Sequence, residues 1–151
     1  MPDIQQVISQ LIDTYEGRTW FGKNVKCTLH EAPIGKALLR LQGSYNIVEL
    51  VHHMLAWRQY AIVLLETGVH QDLPDHVNFP TVEVMMMEEW SELLETFAVT
   101  QERLIELLTI SKFDFNKVVS GKPYTFLQVF QGVIHHDIYH AGQINLLAKF
   151  L

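Results

Sequence analysis

Apolar residues recur at three- and four-residue steps in four stretches of the chain, and each stretch predicts a helix with one buried face. The first covers roughly residues 3–15, with Ile4, Val7, Ile8, Leu11, Ile12 and Tyr15 on one side, Pro2 and Asp3 as its start and Gly17 at its end. The second covers roughly 46–67, where Ile47, Leu50, Val51, Met54, Trp57, Ala61 and Leu64 share a side. Ser44 or Asn46 can cap it, and Glu49 lies where an acid favours the helix dipole. The third, roughly 81–110, starts at Thr81 and carries Val84, Met87, Trp90, Leu94, Phe97, Leu104 and Leu108 on one side. Its other side is polar, with Glu88, Glu92, Glu95, Gln101 and Glu102. The fourth, roughly 124–150, repeats the stripe through Phe126, Val129, Val133, Ile144 and Leu147, with Leu151 next in line.

The stretches between them lack this period. Gly22, Pro33 and Gly35 punctuate the segment from Arg18 to Leu41, which reads as a long crossing connection, mildly helical only from Ala37 to Leu41, with Trp20 and Phe21 pinning it to the core. The run GVHQDLPDHVNFP is a loop, and its His70 and His76 are expected in solvent. Met85 to Met87 are expected to fill gaps in the core, and SKFDFNKVVSGKPY can pair as a short hairpin. Together these elements predict an all-α four-helix bundle with a long first connection, forming a single domain over residues 1–151.

Composition narrows the partners. With 48% hydrophobic and 11% aromatic residues the chain is long enough to bury a core without disulfides, and its only cysteine is Cys27. That usage suits a reducing cytoplasm. A net charge of −6 with no basic run argues against nucleic acid and anionic lipid, which leaves a small-molecule substrate or a second copy of the chain. The N-terminus has no signal-peptide pattern, and no apolar run reaches membrane-spanning length.

Histidines carry the chemistry. His136 and His140 continue the apolar steps from Val133 towards Ile144, so both imidazoles point inward, whereas the neighbours of His135 are polar. Burying two rings one turn apart costs free energy unless each nitrogen finds a partner. A backbone carbonyl or a carboxylate is the commoner partner, and a shared metal ion the more economical one, but two histidines rarely hold an ion alone. A third can come from the second helix. There His53 borders the buried stripe and His52 shares a side with Glu49 and Gln59; the period leans to His53 and leaves His52 open. Glu49-x-x-His52 also suggests a di-iron bundle, but no later helix repeats the motif.

RTWFGKNV, YNIVELVHHMLAWR and GVIHHDIYHAGQI together resemble the DinB-like superfamily, metal-dependent four-helix bundles that include bacillithiol and mycothiol S-transferases. The C-terminal HxxxHxGQI pattern is the most specific match and implies that His136 and His140 are ligands. The family's second-helix histidine usually follows an acid by four residues, which here is Glu49 and implies His53. Many relatives carry histidine where this chain has Phe21, a departure that leaves the triad intact. The resemblance implies a divalent metal, zinc or nickel before copper or iron, and a homodimer. Three imidazoles leave a position open, as in catalytic sites. The expected function is therefore a metal-dependent transferase using a low-molecular-weight thiol; a metal-dependent hydrolase and a non-catalytic binding bundle are the alternatives. Glu49 can orient His53, Gln143 can bond a ligand or a neighbouring ring, and Tyr139 and Asp137 stand nearby without an assigned role.

Overall fold

Side chains at the starts of three of the four long helices accept hydrogen bonds from the first turn. Asp3 accepts from the Gln6 N–H and opens α1, Ile4–Glu16. Asn46 accepts from Glu49 and opens α3, Ile47–Thr67, while the Glu49 carboxylate reaches back to the Asn46 N–H. Thr125 and Gln128 form the same reciprocal box at α6, Phe126–Phe150. Each such cap supplies partners for donors that a helix start cannot satisfy internally, and is worth about 1 kcal/mol. Gly68 closes α3 in the left-handed region, φ 71°, a conformation that favours glycine.

The computed structural model describes residues 3–151, so Pro2 of the expected first cap lies outside the described residues. Six α-helices, one 3-10 turn at Ile34–Lys36 and no strand occur among the described residues. The remaining three α-helices are α2, Val25–His30, α4, Asp75–Asn78, and α5, Met87–Ile110. The chain is an all-α bundle. α3 packs against α5 and α6, and α1 packs against the same two, so α1 and α3 stand at opposite corners. α2 covers α1 and α6 at one end.

Two apolar clusters fill the bundle. One, at the α2 end, gathers Tyr15, Leu29, Ile47, Val51, Phe97 and Ile144; the other gathers Leu11, Ala61, Leu64, Leu104, Phe126 and Phe130. Arg58 bridges them. Buried to 1% exposure, it donates through Nε to Asp137 Oδ2 at 2.9 Å and through Nη1 to Gln101 Oε1 at 2.5 Å, with its guanidinium 4.5 Å from the Phe97 ring centre. Gln101 in turn donates to the Leu11 carbonyl. Gln101 therefore belongs to the core and not, as its neighbours suggest, to the polar face of α5.

Several expectations need correction. The third long helix starts at Met87 rather than Thr81, because the Val82 peptide is tied to the start of α3: its N–H donates to Glu49 Oε1 and its carbonyl accepts from Asn46 Nδ2. An extended segment held at that point cannot form helical turns. Val84, Met86 and Met87 are consequently exposed, and only Met85 packs on the core. Within the first connection α2 replaces the helical turn expected at Ala37 to Leu41, with Asn24 accepting from Cys27 as its cap. Trp20 does not pin this connection. It is 97% exposed, its ring edge-on to Phe21 at the tip of a turn where Thr19 bonds the Gly22 carbonyl. The hairpin before α6 shrinks to one bridge, Val118 to Thr125, turning through Gly121 at φ 75°.

Candidate metal centre

Three imidazoles meet at the seam of α3 and α6. His53 and His140 are buried and His136 is half-buried, and one nitrogen from each lies within 4.8 Å of the others. His136 Nε2 stands 2.9 Å from His53 Nε2. The ring centres of His136 and His140 are 4.4 Å apart, as expected for residues one helical turn apart on one face. His52 is elsewhere: it lines a groove with Val82, Met85 and Leu93, about 100° around α3 from His53. His135 is exposed.

Neighbouring acceptors set the tautomers. His53 Nδ1 is 2.7 Å from the Asn78 carbonyl, and a carbonyl only accepts, so the proton is on Nδ1 and Nε2 carries a lone pair. Gln143 does the same for His140. Its amide N–H donates to the Tyr139 hydroxyl at 3.3 Å, which turns Oε1 towards His140 Nδ1 at 2.6 Å and frees His140 Nε2. With a lone pair on His53 Nε2, a proton or a cation must lie between it and His136 Nε2. His136 Nδ1 is buried without a partner.

The electrostatics agree. Burial pushes the His136 ring down to about 3, helped by His140 and His53. Burial also lowers His53, against the opposing bonds to Asn78, and lowers His140, against its bond to Gln143. All three rings are therefore neutral at physiological pH, which is the ligating form. Three neutral nitrogens, two of them oriented from behind by acceptors, are compatible with metal binding.

An open cavity of about 470 Å³ exposes the three rings, with Leu50, Trp57, Phe79, Tyr139 and Gln143 in its wall. α4 is too short to pack a core, yet it delivers the residues that set the His53 ring. Asn78 holds Nδ1 and also accepts from Trp57 Nε1 at 3.0 Å, and Phe79 stacks on the His53 ring at 3.8 Å between centres. Tyr45 stacks on the far face of this arrangement, 4.1 Å from Phe79. Asn78 and Phe79 are the functional residues that sequence reasoning missed. Their only signal was an aromatic residue ahead of Pro80 at the end of a polar loop.

The auxiliary residues divide. Gln143 bonds a neighbouring ring, as expected. Glu49 does not reach His53: it is committed to Asn46, the Val82 N–H and Arg40, whose Nη1 lies 2.5 Å from Oε2. Burial pushes Glu49 up, but Arg40 and the two N–H donors outweigh it and leave the carboxyl below its ordinary value. Asp137 faces Arg58, so His136 and Asp137, adjacent in sequence, serve different sites. In the loop, His76 is exposed as expected, but His70 is not in open solvent: it bonds Tyr60 at 2.7 Å and Asp72 at 2.8 Å.

No helix among the described residues is long and apolar enough to cross a membrane. No curated protein and no solved structure matches the chain. Residues 29–144 match the family model of the DinB superfamily. That match takes in α3, α4 and α6 through His140, and hence all three imidazoles and the Asn78 acceptor behind them. The histidine cluster is compatible with metal binding, and the chain belongs to the DinB superfamily.

Proposed function

We propose that His53, His136 and His140 hold one divalent ion, zinc or nickel ahead of other metals, and that the protein is a metal-dependent transferase acting with a low-molecular-weight thiol. The observation that carries this reading is the convergence of three neutral imidazoles within 4.8 Å beside an open cavity, two of them with Nε2 freed by an acceptor behind Nδ1. When bound, such an ion is a Lewis acid that lowers the pKa of a thiol or a water at a position the protein leaves open.

The chain's own residues do the rest. Asn78 and Gln143 keep the protons of His53 and His140 on the nitrogens that face away from the centre. Phe79 fixes the plane of the His53 ring. Leu50 and Trp57 give the cavity a wall that excludes water from one side, and Tyr139 and Gln143 set polar groups at its edge, where a thiol-bearing substrate has donors and acceptors to meet. A second cavity shares Trp57 and His136 with the first, which favours a reaction of two substrates over hydrolysis of one.

The free, exposed Cys27 suits a reducing, cytoplasmic setting. A homodimer belongs to the same proposal, and the exposed Val84, Met86 and Met87 offer an apolar edge for it. Light scattering of the purified protein measures that mass. For the reaction, metal-reconstituted protein is given an electrophile with and without a small thiol. Turnover should need both metal and thiol and should vanish in His140→Ala. Turnover by metal and water alone would make the protein a hydrolase.

A further inference from the structure

The cavity that exposes the three rings has a neighbour. Across Trp57 and His136 lies an open cleft of about 440 Å³, within the size range of small-molecule sites. Its α6 wall follows one face of the helix through Val129, Gly132, Val133 and His136, with Gly132 at the centre. Gly132 has no left-handed backbone to accommodate, and a Cβ placed there would meet nothing within 4 Å. A glycine inside a helix is less stable than alanine by about 1 kcal/mol. Neither backbone conformation nor packing requires it, and what it leaves is space.

No Asp, Glu, Lys or Arg lines this cleft, and its one imidazole is that of His136. Gln128 at its edge uses its Oε1 in the cap of α6. Its far end carries the phenols of Tyr60 and Tyr124. The Tyr60 hydroxyl and His70 Nδ1 share a hydrogen bond at 2.7 Å, and His70 Nε2 lies 2.8 Å from Asp72 Oδ1. A phenol oxygen carries two lone pairs, and one bond to His70 leaves acceptor capacity on Tyr60 for another donor. Burial, with Tyr124 adding to it, pushes Tyr60 up to about 12, so the group stays a neutral phenol. A charged guest would lose its hydration here without gaining a counter-charge.

We propose that this cleft seats the second substrate, an uncharged and largely apolar molecule carrying one O–H or N–H donor, with its body against Trp57, Val129 and Val133 and its donor on Tyr60. That its other end reacts beside His136 rests on the transferase reading above; the binding site itself does not.

The test is equilibrium binding of 2-naphthol, its methyl ether and 2-naphthoate to the full chain, with metal content measured on the same samples. The wild type should bind 2-naphthol with a Kd below about 1 mM. The ether should bind about 3- to 10-fold more weakly for want of one donor, and the carboxylate more weakly still. Gly132→Ala should weaken 2-naphthol binding slightly and Gly132→Leu by at least about 10-fold, with metal content unchanged, because the new side chain occupies the cleft. Tyr60→Phe should bind 2-naphthol and its ether alike. His140→Ala should lose metal and keep 2-naphthol, so failure of the cleft and failure of the metal centre are read separately. No saturable binding in the wild type, equal binding in Gly132→Leu, or a preference for the carboxylate would overturn the proposal.

Discussion

Two polar clusters straddle α3 and α6 within a few residues of each other, and they are built to opposite ends. In the Arg58 cluster a charged donor meets the acceptors Asp137 and Gln101 inside the core, away from the cavities, at 1% exposure. In the histidine cluster three donor-capable rings are all neutral, two are turned so that lone pairs face one another's space, and a cavity opens on them. His136 and Asp137 are consecutive on α6, and the roughly 100° between them sends one to each cluster. A buried charge that meets its counter-charge holds a fold together, even with Asp137 Oδ1 left without a partner. Buried polarity left with lone pairs and a door to solvent has capacity for a ligand.

The largest effect separates the two directly. Arg58→Ala leaves the Asp137 carboxylate buried without its partner and should cost about 3–5 kcal/mol in denaturant unfolding. Burial already pushes this carboxyl up, with Arg58 opposing, so the loss should shrink at acid pH, where the unpaired group takes a proton. Protein that remains folded should still bind metal. Next comes the second layer of the histidine cluster: Gln143→Ala frees the His140 ring and should weaken metal affinity about 10- to 100-fold with little change in metal-free stability, measured by competition with a chromogenic chelator.

The pH dependence is a third contrast. Below the ordinary histidine value of 6.5 the unfolded chain protonates at His136 while the folded chain does not, because its ring is pushed down to about 3. The unfolded state therefore binds more protons, and metal-free stability should fall as pH drops from about 6.5 towards 3, by as much as about 1.4 kcal/mol per pH unit for each such ring. Substituting His136 by phenylalanine should flatten that slope; an unchanged slope would assign it to other groups. The smallest effect is expected at Tyr139, 62% exposed and held by one 3.3 Å bond, where phenylalanine should change metal affinity by less than about threefold.

The period of the apolar residues made the four long helices legible, because a buried stripe must recur every 3.6 residues wherever it faces one core. The same argument pointed His136 and His140 inward. It leaned to His53, which borders the stripe of α3, without settling the choice against His52. What escaped is what depends on contacts distant in sequence. The tether from Val82 to Asn46 and Glu49 moved the start of α5, and residues 33 and 36 positions apart carry no periodic trace of such a bond. Asn78 behind His53 is hidden for the same reason, 25 residues away in a loop. Glu49 shows the converse: its place one turn before His53 suggested an orienting bond, but a capping box, Arg40 and the Val82 N–H occupy both its oxygens. Trp20 is a third case, where size and aromaticity suggested burial and a tight turn put the ring in solvent.

Elemental analysis of the untagged protein, wild type beside His136→Ala, tests the central claim most directly. Three converging ligands predict close to one equivalent of a divalent transition metal per wild-type chain and less than about a tenth of that in the variant, with both proteins folded. Equal metal content in the two would contradict it.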